Sequence, residues 1–154
     1  MGKNPVGGVS ARCALLGLGL ILGLGGSSAA LAQPPDLDYL QFCVGCHRED
    51  GSGSAQNGVP DMRGVIDRLA GAPTGRDFLI QVAGVAQTPL DDAALARLMN
   101  WPLPRMGVLP AGFVPYAADE VARLRATRPA DLPAQRAQAV AELAARETQA
   151  AAAP

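Results

Sequence analysis

Cys43, Cys46 and His47 stand together in a chain with one histidine, three cysteines and four methionines among its 154 residues. The segment Cys43-Val44-Gly45-Cys46-His47 reads C-x-x-C-H. In a helix, positions i, i+3 and i+4 share a face, so two thiols and one imidazole can meet the edge of a single planar ligand. That spacing is the attachment signature for a c-type haem: both thiols add to vinyl groups as thioethers, and His47 ligates the iron. Three other chemistries draw on the same residue types. A structural zinc site needs four ligands, so carboxylates must complete the set that two cysteines and a histidine begin. A thioredoxin-like redox pair needs a βαβ setting. A plain disulfide across one helical turn leaves the adjacent histidine without a role.

An iron bound by His47 has a sixth position to fill. There is no second histidine, so bis-histidine ligation within one chain is excluded. Soft sulfur is supplied by Met62, Met99 and Met106. Met62 lies two residues past Pro60. Met99 sits beside Leu98 in an apolar helical stripe, where methionine is usually core filler. Met106 lies in a proline- and glycine-rich loop, fifty-nine residues after His47. Trp101, Tyr116, Arg63 and Arg105 are candidates to contact haem propionates; the competing reading packs the aromatics beneath a loop and leaves the arginines in water. Arg123, Arg125 and Arg128 read as a solvated helix face.

The elements that must carry these residues begin with an address. Lys3 and Arg12 give a positive start, Cys13 to Leu24 is an uncharged apolar run of twelve, and small residues lead to Ala30-Leu31-Ala32. This is the pattern of a secretory signal peptide over residues 1–32, cleaved after about Ala32. The apolar run is short of the roughly 20 residues that span a bilayer, so a membrane association is expected only if the segment is retained. Export predicts a periplasmic location, where free thiol pairs oxidise unless other chemistry consumes them. The remaining chain has eleven arginines, no lysine and fourteen carboxylates, a formal charge of −3. That balance excludes nucleic-acid binding through bulk positive charge.

Past the leader, Asp36 is the expected N-cap of a helix whose face is Leu37, Leu40, Cys43, Val44 and His47. Glu49 to Pro60 is a glycine- and serine-rich loop. Val65, Ile66 and Leu69 suggest a short helix. A second starts after Thr74 with Phe78, Leu79, Val82 and Val85 inward, and a third opens at Asp91-Asp92 with Leu95, Leu98 and Met99 inward. Arg105 to Tyr116 reads as loop, and Ala117 to Thr127 as a helix burying Val121 and Leu124. Residues 131–154 form an alanine-rich tail, helical or frayed. No strand alternation is present. The expected fold is all-α, four or five short helices in one domain over residues 33–130.

The sequence resembles the class I c-type cytochromes over roughly Leu37 to Thr127. The resemblance rests on C-V-G-C-H in an N-terminal helix, on Gly51 and Gly53 in the loop that follows, on Pro60-Asp61-Met62-Arg63-Gly64, and on Phe113 to Arg125 as the last helix with its lead-in. Met62 stands where that family usually has Leu, and Gly107 where many members have Pro. The resemblance implies a small helical fold around one haem c held by Cys43 and Cys46. It implies His47 and Met106 as axial ligands and a Pro60 carbonyl that accepts a hydrogen bond from the free nitrogen of His47. Its functional implication is a periplasmic electron-transfer protein rather than an enzyme, serving a dehydrogenase, an oxidase or another cytochrome. The alternative is a haem enzyme or gas-binding sensor with an open distal position.

Overall fold

Pro34 and Pro35 start the first helix. Pro34 is its N-cap and Pro35 occupies the first turn, where its fixed φ and missing N–H cost nothing. The computed structural model describes Gly2 and residues 32–152. The expected leader, residues 1–32, lies outside the described residues except for Gly2 and Ala32. Among the described residues no helix is long and apolar enough to cross a membrane.

Helix α1 (Pro35–Phe42) ends at Cys43, and the chain resumes as the single turn α2 (Val44–His47). The buried face of α1 differs from the expected one. Leu37 and Leu40 are each 47% exposed, whereas Asp38 and Tyr39 are buried. Tyr39 sets this rotation, because its ring packs on Trp101 and its hydroxyl reaches a backbone carbonyl. Asp38 accepts from Gln33 at 2.8 Å.

A 3-10 turn (Ala55–Asn57) lies within the glycine-rich loop. Then come α3 (Ile66–Ala70), α4 (Pro73–Gln81) and α5 (Ala83–Ala86), with the break between the last two at Val82. Helix α6 (Asp92–Asn100) is capped by Asp91, whose carboxylate accepts from the Ala94 N–H at 2.7 Å. It buries Leu95, Leu98 and Met99. The segment read as loop from Arg105 instead contains part of α7 (Leu103–Met106), with Pro104 in the first turn, where proline is tolerated. Helix α8 (Ala118–Ala126) turns Val121 and Leu124 inward. The alanine-rich tail is a helix of 21 residues, α9 (Leu132–Ala152).

The described residues are all-α, without a strand; one isolated bridge joins Ser54 to Val59. Five of the helical segments have eight residues or more. Residues 32–152 belong to one compact unit. One core joins α1, α6, α7 and α8 through Tyr39, Leu95, Leu98, Leu103 and Val121. A second, formed by Leu69, Phe78 and Ala139, docks α9 on α3 and α4. Ala139 is wholly buried because a methyl group is what the close approach of α9 leaves room for.

Arg125 is no solvated residue. It donates to the carbonyls of Ala86, Thr88 and Leu90 and to Asp92 Oδ1, at 2.8–3.1 Å. It thereby satisfies carbonyls at the end of α5 and fixes the turn into α6. Arg76 binds Glu120 and the Val114 carbonyl while lying over the Tyr116 ring, which ties α4 to α8.

Candidate functional site

Tyr39 fixes the turn that carries the motif. Its hydroxyl donates to the Arg48 carbonyl at 2.8 Å. Arg48 ends α2 with φ 61° and ψ 170°, a region that residues with a Cβ avoid at a cost of about 1–3 kcal/mol. The backbone then doubles back, and the Gly53 N–H donates to the His47 carbonyl at 3.1 Å. Gly53 has φ +66°, and a Cβ there would run into the Pro60 carbonyl. A hydrogen there lets the Pro60 segment lie close against the histidine turn.

Cys43, Cys46, His47 and Pro60 all line one cavity of about 550 Å³, within the size range of small-molecule and cofactor sites. The other walls are apolar. Val65 contributes from the N-cap of α3 and Ile66 and Leu69 from α3 itself, Phe78, Leu79 and Val82 from α4 and the break after it, Leu98 and Met99 from α6, and Ala139 and Val140 from α9. Asp61 and Arg136 are the only carboxylate and guanidinium among the described residues lining it. Asp61 is already bound to Arg63, which holds its carboxyl down to about 2.

Burial lowers the pKa of His47, against an opposing pull from the Pro60 carbonyl beside it. The ring is therefore neutral at pH 7 and has a lone pair free for a metal. Its Nδ1 is buried, and no acceptor meets full hydrogen-bond geometry with it. Burial pushes the Cys43 thiol up to about 11, with smaller contributions from the charges of Asp38 and Cys46. A reactive redox cysteine needs the opposite shift, which counts against a thioredoxin-like pair. The two thiols are not joined to each other. Among the described residues, no group of three or more His, Cys, Asp and Glu side chains is arranged to hold a metal ion. Two thiols and an imidazole at the edge of an apolar cavity fit a flat, largely apolar macrocycle attached along one side.

Met62 and Met99 line the cavity and Met106 does not. Met106 is buried in the core, its sulfur 2.5 Å from where a Cβ of Gly51 would stand, and its carbonyl accepts from the Gly64 N–H at 2.5 Å. The proposed propionate contacts lie elsewhere too. Tyr116 donates to the Arg76 carbonyl, Arg105 lies over the Trp101 ring, and Arg63 binds Asp61 and Asp50. Arg136, from the tail, carries no sequence signal that would single it out, since its role depends on where α9 docks. Comparison with family models, curated proteins and solved structures gave no match.

Proposed function

We propose that this protein is a periplasmic electron carrier, with one haem c held covalently by Cys43 and Cys46 and ligated by His47. The observation that supports this most is that Cys43, Cys46, His47 and two methionines, Met62 and Met99, line a single apolar cavity. When bound, haem iron supplies one-electron chemistry between its ferrous and ferric states.

The residues have separate tasks. Cys43 and Cys46 anchor the group. His47 offers a neutral nitrogen, and the Pro60 segment, packed against its turn through Gly53, restrains the ring. Met99 is the sulfur we assign to the sixth position, in place of the Met106 that family resemblance implies: Met99 lines the cavity from α6, Met62 lines it two residues from Pro60 and so on the side of His47, and Met106 packs on Gly51. A thioether ligand favours the reduced iron and raises the potential. The apolar side chains of α3, α4 and α6 exclude water. With His47 and Met99 holding the group, the protein would pass electrons to partner proteins (a dehydrogenase, an oxidase or another cytochrome) and transform no substrate itself.

The position of Met106 also favours a second reading, in which the distal site is open and the protein is a haem enzyme or gas sensor. One set of spectra separates them. Oxidised wild type and Met106→Ala should show the weak long-wavelength sulfur-to-iron band, and Met99→Ala should lose it. Loss in Met106→Ala alone reassigns the ligand to Met106. Absence of the band in wild type, with carbon monoxide binding to the reduced protein, establishes the open-site reading.

A further inference from the structure

The tail helix brings the cavity a charge that no other element provides. Arg136 is the one guanidinium among the described residues lining it, and no carboxylate among those residues pairs with it. It sits one helical turn before Ala139, the residue that locks α9 onto Leu69 and Phe78. Other tail charges are committed outside the cavity. Glu142 accepts from the Thr74 N–H at 3.0 Å and pairs with Arg146, and Glu147 pairs with Arg68.

We propose that α9 is a wall of the cofactor site and that Arg136 is the counter-ion for the carboxylates of the group bound there. This rests on the haem reading above. Haem carries two propionates, and an apolar cavity accepts such charges only with a cation or water beside them. Asp61, the other charged residue at the cavity, has the wrong sign and is already engaged by Arg63. Arg136 lines the cavity and is exposed as a residue, so its stem can lie along the cavity while its head meets carboxylates at the rim.

The test is a redox titration over a range of pH on the holoprotein, comparing wild type with Arg136→Gln, Arg136→Lys and Arg146→Gln. Arg146 is on the same helix and does not line the cavity. A cation beside the carboxylates favours the reduced iron. Its removal in Arg136→Gln should raise the ferric-to-ferrous ratio at a fixed potential on the order of fivefold. It should also raise the pH at which the potential begins to climb on acidification, since an unpaired carboxylate takes up its proton sooner. Arg136→Lys should restore both readouts, and Arg146→Gln should leave both at wild-type values. Equal effects from Arg136→Gln and Arg146→Gln, or no effect from Arg136→Gln, overturn the assignment. A wild-type chain that takes up no haem fails the function proposal instead, and the mass of the product distinguishes the two failures.

Discussion

A Cβ at Gly53 would meet the Pro60 carbonyl and stand 2.7 Å from the Val59 carbonyl oxygen, on a backbone already at φ +66°. Gly53→Ala is therefore expected to cost about 1–3 kcal/mol from the backbone conformation alone, measured by urea unfolding. Because the displaced backbone is that of Pro60, the variant should also loosen the histidine turn; unchanged stability would contradict this packing. Gly107 follows a related rule without a positive φ. Its φ of −169° is far from the −65° that proline imposes, and a Cβ there would collide with the Asp67 carboxylate, which accepts from the Val108 N–H at 2.8 Å. The chain thus has a physical reason for glycine where the resembling family often has proline. Single residues were legible when the information was local. C-x-x-C-H depends on one helical turn, and the turn carrying it lines the cavity. The choice among three methionines depends on which helix faces the cavity, which spacing in sequence does not reveal.

At the scale of elements, α4 and α8 are joined by Arg76 and Glu120, each about four-fifths buried at the side chain. The Arg76 hydrogen bond holds the Glu120 carboxyl below its ordinary value of 4.5. The folded protein thus binds this proton less readily than the unfolded chain. The pair's contribution is complete above about pH 4.5 and is lost as pH falls through the lower folded value. Glu120→Gln should cost about 1–3 kcal/mol at neutral pH and flatten the acid limb of a stability–pH profile. An acid limb as steep as wild type would remove this pair from the account. Helices α3, α4, α6 and α8 were legible from periodicity and from capping residues such as Asp91, whereas α7, with Pro104 in its first turn, read as loop. The face of α1 was not, because a buried Tyr39 and its bond to Arg48 outweigh two leucines. α9 was legible only as a tail that is helical or frayed, and its docking was not legible. Its contact residue Ala139 looks like every other alanine in the tail, and only the complementary surface of Leu69 and Phe78 distinguishes it.

At the scale of the whole molecule, two small cores leave an apolar cavity between the motif turn and helices α3, α4, α6 and α9. A small chain gains much of its stability from whatever occupies such a space. The composition agrees with this economy: only 4% of residues are aromatic, so few large side chains are available to fill a core. The central claim is that a haem is attached through Cys43 and Cys46. Its most direct test is the intact mass of the exported protein, made in a host that matures c-type cytochromes. The account predicts the mature polypeptide plus one haem, and the bare polypeptide when both cysteines are changed to alanine. A wild-type product at the mass of the bare polypeptide would contradict it.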